Sequence, residues 1–255
     1  MKFSIITPTM NSGRHIEKTI KSVISQENVD LEHIIIDSIS KDNTIDILNK
    51  YKNKYDLITQ SEEDEGISDA FNKGIKKSSG EWLVFLGSGD QFIHSNVLDD
   101  VRKEIIKRPS ASLVWGNIIF INGNGEIGKS VSGRFPKKRL KRYMCMPHQA
   151  TFTNKKLFEK FGLFDKNIKC AMDYDLLLRS FYEIDENNYI DYDVSYMLIG
   201  GISDLGQNAI RDFRKIQIKH SVWPTSICYL LFYWAIIKNF IKRIIFYNSN
   251  GFSSI

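Results

Sequence analysis

Short apolar runs alternate with amphipathic stretches from residue 2 to about residue 121, and that alternation predicts an α/β fold on a mainly parallel sheet flanked by helices. Two further observations agree. The 255 residues are 42% hydrophobic and 25% charged, an ordinary globular composition for one large domain or a domain with an appendage. The segment after residue 220 changes character, becoming aromatic and basic, which sets 221–255 apart as a C-terminal helical appendage.

Residues 3–6, 33–36, 57–59 and 82–86 read as short strands, and 113–121 as a longer one. Between them, residues 12–25, 42–51, 67–77 and 95–107 carry helical spacing, several opening on a Ser or Asp suited to capping. Asn122-Gly123-Asn124-Gly125 between Ile-rich flanks signals a hairpin, so the regular alternation stops there. This divides a domain over 1–220 into halves at 1–121 and 122–220. The second half reads as a basic loop over 134–142, a strand at 149–153, a helix near 155–161, another beginning at Asp173, and a strand over 193–199.

The formal net charge of +5 is modest and the cations are local, in Lys137, Lys138, Arg139, Lys141 and Arg142, then Lys238, Lys242 and Arg243. The basic loop lacks interleaved stacking aromatics beyond Phe135 and Tyr143, which argues against nucleic acid as a partner. A solvated charge run is its ordinary explanation, and anionic headgroups or a pyrophosphate-linked lipid are the functional one. Cys145, Cys170 and Cys228 have no metal-ligand spacing and read as reduced thiols of a cytoplasmic protein. The N-terminal apolar run is too short for a signal peptide.

Within 223–247 the unbroken apolar run, 227–237, is much shorter than the roughly 20 residues of a spanning helix. Aromatic residues with cations near one end read as an interfacial anchor giving peripheral membrane contact. The alternative is a helix packed on the domain or on a second subunit.

In open α/β sheets, ligands bind beyond the carboxyl ends of the strands. Those ends carry Thr7-Pro8-Thr9-Met10-Asn11, then Asp37, then Gly87-Ser88-Gly89-Asp90. Neither a dinucleotide fingerprint nor a P-loop follows the first strand; a divalent metal held on a carboxylate could instead neutralise a diphosphate here, and Asp90 is the candidate. Taken alone, Gly-Ser-Gly-Asp is equally a tight turn after a strand.

Four segments in order resemble the successive signatures of family 2 glycosyltransferases with a GT-A fold: Thr7 to Asn11, Asp37-Ser-Ile-Ser-Lys-Asp-Asn-Thr44, Asp64-Glu-Gly-Ile-Ser-Asp-Ala-Phe-Asn-Lys-Gly74, and Gly80-Glu-Trp-Leu-Val-Phe-Leu-Gly-Ser-Gly-Asp90. The resemblance implies a Rossmann-like, mainly parallel sheet and an inverting, nucleotide-sugar-dependent transfer to a saccharide or lipid-linked acceptor, in cell-surface polysaccharide or glycan biosynthesis. It implies donor contacts from Thr7, Pro8, Thr9, Asn11, Asp37, Asp69, Asn72, Lys73 and Ser88, and a Mn²⁺ or Mg²⁺ ion on Asp90. The usual motif has two adjacent acidic residues where this chain has Gly89-Asp90.

Pro147-His148-Gln149-Ala-Thr-Phe152, Phe161-Gly-Leu-Phe-Asp165 and Met172-Asp173-Tyr-Asp-Leu-Leu-Leu-Arg179 are also similar to the family. The last nominates Asp173 as catalytic base, with Met172 where relatives often have Glu. Sugar transfer with inversion needs a carboxylate to take the proton of the attacking hydroxyl. A helix cap is the structural alternative for Asp173, and Asp175 is the rival base. His148 either contacts the diphosphate or acceptor or is a loop histidine bonded to backbone. His15, His33, His94 and His220 lack ligand spacing and read as structural or solvated. Gly200-Gly201-Ile202-Ser203 is a further family-like segment that would border the acceptor cleft. Gly89 and Met172 also leave open a non-catalytic nucleotide-sugar-binding or scaffold protein of the same fold.

Overall fold

The computed structural model of the chain describes residues 1–200 and 207–250. Nine strands form one sheet: β1 (Lys2–Thr9), β2 (Asp30–Asp37), β3 (Leu57–Ser61), β4 (Trp82–Phe85), β5 (Gln91–Phe92), β6 (Leu113–Ile121), β7 (Ile127–Val131), β8 (Thr151–Asn154) and β9 (Tyr189–Leu198). The order is β3-β2-β1-β4-β8-β6-β9-β5, with β7 paired to β6. β1 to β4 are mutually parallel, whereas β8 runs antiparallel between β4 and β6. A strand from the second half of the chain is therefore inserted between two from the first, and the sheet is continuous across residue 121.

The helices are α1 (Ile16–Ile24), α2 (Thr44–Tyr51), α3 (Ile67–Lys77), α4 (Val97–Ile106), α5 (Lys155–Phe161), α6 (Met172–Arg179), α7 (Gln207–Lys219) and α8 (Thr225–Asn250). Helices cover both faces of the parallel strands, which is why β1 and β2 read as continuous apolar runs rather than alternating ones. Ile16, Ile20 and Leu48 pack with Ile35 on one face, and Ala70 packs with Ile34 and Ile36 on the other. Gly74 lets α3 lie close to β1, because a Cβ there would overlap the side chain of Ile6.

The structure departs from the sequence reading in several places. Helices α1 to α4 have no side-chain cap at their N-terminal residues, although Asp42 Oδ1 accepts the Thr44 amide at 3.0 Å just outside α2. The strand expected from residue 149 begins at Thr151, because His148–Ala150 form a 3₁₀ turn. The hairpin over 122–125 joins β6 to β7 as expected, with Gly125 at φ +85°. Residues 201–203 of the family-like segment near Gly200 lie outside the described residues. All three cysteines are free thiols.

Ile216 of α7 enters the core beside Tyr174 and Leu177 of α6, and α8, the helix of the appendage, packs on α7. No helix among the described residues is long and apolar enough to cross a membrane.

Candidate active site

Parallel pairing aligns Thr9, Asp37 and Ser61 in one row across the carboxyl edge of β1, β2 and β3. Asp37 is fully buried and accepts Ser61 Oγ at 2.6 Å and the Ser40 amide at 3.0 Å, so its carboxylate is fixed in place. Asn11, at φ +48°, holds the same loop by accepting the Lys41 amide at 2.7 Å and donating its own amide to Ser40 Oγ. Thr9 Oγ1 is buried with no hydrogen-bond partner, an orphan hydroxyl in the row where a ligand would lie. Thr7 is different: its hydroxyl meets buried His33 Nε2 at 3.0 Å, which ties it to the interior of the sheet. His33 in turn meets Tyr55, and burial holds its imidazole down to about 3, as a neutral core histidine.

The next strand end closes against the first, since Ser88 Oγ donates to the Pro8 carbonyl at 2.8 Å. Asp90 turns inward. It accepts the Gly87 amide at 2.8 Å and the Leu198 amide at 2.9 Å, and burial raises its carboxyl to about 6 against those bonds. Gly89 sits at φ +108°, and a Cβ there would overlap Leu198 Cδ2. That explains why an acidic residue is missing at this position: the local backbone favours glycine.

No three His, Cys, Asp or Glu side chains among the described residues come together to hold a metal ion. The Asp90 oxygens accept the Gly87 and Leu198 amides and the carboxyl is also bonded by the Gln149 side chain, which leaves about one of its roughly four lone pairs for a ligand. Asp90 therefore suits a single contact to an ion whose remaining ligands come from a diphosphate and water, rather than a carboxylate cage.

On the other face of the sheet, Asp69 of α3 pairs with Lys73 at 3.3 Å and Lys166 at 3.6 Å, and Lys73 also pairs with Glu62 at 3.1 Å. Lys166 follows the Phe161 to Asp165 motif and had no signal in the sequence pointing to this cluster. Asn72, expected among the donor contacts, has another use. Its amide nitrogen donates to the Phe164 carbonyl and its oxygen accepts the Phe164 amide, both at 2.9 Å, joining α3 to the second half of the chain. Ser68, Phe71, Asn72 and Ile75 share the buried face of α3.

Asp173 and His148 meet where the halves join. His148 stacks on Phe85 at the end of β4, with ring centroids 5.1 Å apart, and lies edge-on to Phe71 and Phe164. Its Nδ1 is 3.9 Å from Asp173 Oδ2. Burial raises the Asp173 carboxyl above the usual carboxylate range, with His148 opposing. Burial likewise lowers the His148 imidazole, with Asp173 opposing. Both side chains line a cleft walled by Phe85, Met144, Met146 and Leu177. Asp173 lies inside α6 rather than at its cap, and its Oδ1 accepts the adjacent Tyr174 amide at 2.8 Å.

Asp175, the rival, is fully buried among Arg179 at 2.8 Å, His220 at 2.8 Å and Lys219 at 3.1 Å. Burial opposes its ionisation, but His220, Lys219 and Arg179 hold its carboxyl below the usual range. It is a strut between α6 and α7. Met172 belongs to the core, 5% exposed.

A mainly parallel sheet of this topology, covered by helices on both faces, has the GT-A architecture. The model of the family described as Glycosyl transferase family 2 matches residues 4–168, and the chain belongs to that family. It is similar to the PGL/p-HBAD biosynthesis glycosyltransferase of Mycobacterium bovis (strain BCG / Pasteur 1173P2), 33% identical over 183 residues, covering 70% of this chain and 69% of that one. Chondroitin synthase of Pasteurella multocida (strain Pm70) is 27% identical over 179 residues, covering 69% of this chain and 18% of its own.

Among solved structures, S. aureus TarS 1–349 in complex with UDP-GlcNAc superposes with a TM-score of 0.68 at 19% identity, over 91% of this chain and 70% of that chain. The mannosyltransferase PcManGT from Pyrobaculum calidifontis, in complex with GDP-Man and Mn²⁺, gives a TM-score of 0.63 at 15% identity, over 92% and 74%. The protein is a glycosyltransferase of GT-A fold that uses a nucleotide sugar.

Proposed function

We infer that this enzyme is an inverting transferase acting on a hydroxyl of a saccharide or lipid-linked saccharide in cell-surface polysaccharide or glycan biosynthesis. The observation that carries this reading is Asp173, a buried carboxylate lining the cleft beside His148 and outside the ion-pair network that engages Asp175. The reading places the enzyme on the cytoplasmic face of a membrane, in peripheral contact through 223–247.

The donor's base and ribose lie along the row of Thr9, Asp37 and Ser61, with Asn11 shaping the loop above and Thr9 Oγ1 free to bond the ligand. Pro8 and Ser88 close the floor beneath the diphosphate, and Asp69 with Lys73 borders it from α3. Asp90 would hold a divalent ion, Mn²⁺ or Mg²⁺, which when bound supplies neutralisation of the leaving diphosphate's charge. Asp173 accepts the proton of the acceptor hydroxyl as its oxygen attacks the anomeric carbon from the side opposite the diphosphate. The bond to the diphosphate oxygen breaks in line, so configuration inverts. His148 keeps the carboxylate in place and excludes water with Phe85 and Phe164.

The alternative, a binding or scaffold protein without turnover, drew on Gly89 and Met172. Both have local structural reasons here, a left-handed backbone and a core position. The test is a screen of nucleotide sugars for transfer with Mn²⁺ present across an acceptor panel. Turnover that falls in Asp90→Ala and Asp173→Asn is expected. Donor binding with neither transfer nor hydrolysis would favour the scaffold reading, and full activity in both variants would overturn the site.

A further inference from the structure

We propose that the outer face of α8 and the basic 3₁₀ turn at Lys137–Lys141 form one docking surface for an anionic lipid bilayer, fixed to the helix that carries Asp173. The proposal rests on the peripheral reading above and adds the lipid charge, the second element and the link to the catalytic helix.

Leu230, Tyr233, Trp234 and Ile237 are 70%, 58%, 65% and 50% exposed. Their spacing puts them on one face of α8, while Cys228 on the inner side is fully buried. Arg214 of α7 lies over the rings of Tyr229 and Phe232, at 4.9 and 4.3 Å, and fastens the helix from within. An exposed stripe of this size with two aromatic residues matches the amphipathic, ring-rich surface that settles at the headgroup level of a bilayer.

Charge decides which bilayer. The 26 residues of α8 contain no Asp or Glu but include Lys238, Lys242 and Arg243. The basic turn lies at the root of the same helix: Trp223 Nε1 donates to the Lys141 carbonyl at 2.9 Å, and the Gln217 amide donates to the Arg142 carbonyl at 2.9 Å. Lys137 and Lys141 rest over the Phe181 ring at 4.7 and 5.2 Å. Lys138, Arg139 and Arg142 are exposed, and none of the three has a carboxylate partner among the described residues. Unpaired cations beside an apolar stripe without acidic residues complement a surface that is negative and apolar at once, which is an anionic leaflet.

The surface also reaches the chemistry. Gln217, whose amide holds the basic turn, lies 3.2 Å from the hydroxyl of Tyr174, the neighbour of Asp173. Docking through α8 therefore fixes α6, which carries Asp173, relative to the membrane.

The experiment is co-sedimentation of the full chain with vesicles of phosphatidylcholine alone and of phosphatidylcholine with phosphatidylglycerol, at low and high salt. Binding to the anionic vesicles, released by salt, is expected. Lys138→Gln, Arg139→Gln and Arg142→Gln together should weaken it about a hundredfold, at roughly one decade or less per cation. Leu230→Ser with Trp234→Ser should weaken it comparably while leaving transfer to a soluble acceptor unchanged. Retained thermal unfolding midpoints and donor binding distinguish lost docking from lost folding. Equal binding to both vesicle types, or anionic binding untouched by either set, overturns the proposal while leaving a peripheral location intact. Absence of binding to any vesicle, with the α8 face buried in a stable dimer, overturns both.

Discussion

His148 Nδ1 lies 3.9 Å from Asp173 Oδ2, which joins the turn before β8 to the start of α6 over the ring of Phe85. Neither residue is near the other in sequence, and each alters the ionisation of its partner. Burial favours neutral forms of both, and their mutual attraction works against it.

A base must be ionised to accept a proton. Burial raises the Asp173 carboxyl, so transfer should fall on acidification at a pH above that expected for an ordinary aspartate. In His148→Gln the opposing attraction is gone, the carboxyl rises further, and the acid limb should move to higher pH. A purely structural role for His148 would lower the rate at all pH values without moving that limb. The pH dependence of kcat in the two proteins distinguishes these.

Restoring the usual acidic pair should fail. Gly89→Asp places a Cβ against Leu198 at a backbone of φ +108°, at a cost of about 1–3 kcal/mol for the strain alone. The expected outcome is a lower unfolding midpoint with no gain in Mn²⁺ affinity, measured by thermal unfolding and metal titration. A stable variant that binds Mn²⁺ more tightly would show that the turn tolerates a side chain.

Asn72→Leu removes both bonds to the Phe164 backbone and leaves a buried amide and carbonyl without partners. The loss should be about 2–6 kcal/mol, from a penalty of roughly 1–3 for each of the two unsatisfied groups. Chemical denaturation measures it. Unchanged stability with weakened donor binding would return Asn72 to the donor site.

Much of the parallel half was legible because its strands are buried on both faces and its helices are amphipathic at clear spacing. The row of Thr9 and Asp37 followed from strand ends alone. Ser61 was missed because one polar residue at a strand end carries no signal until the register aligns it with Asp37. The structural use of Asn72 was not legible because a motif does not say which way its residues face, although its spacing from Ser68, Phe71 and Ile75 does. The two-residue strand β5 depends on pairing with β9 about a hundred positions away, and such pairing leaves no local pattern. The motif in the sequence nominates Asp173 and leaves Asp175 as its rival. Only the second is held by Lys219 of α7 and by His220 just after it, and that contrast carries the proposal of Asp173 as base.

The most direct test compares Asp173→Asn with the parent enzyme in steady-state transfer, with donor affinity measured separately by calorimetry. A base contributes typically 10²–10⁴-fold, so kcat should fall about a thousandfold with donor affinity and unfolding midpoint retained. Asp175→Asn should instead lower the midpoint, as a buried ion-pair strut. Transfer by Asp173→Asn within a few fold of the parent would contradict the assignment of the catalytic base.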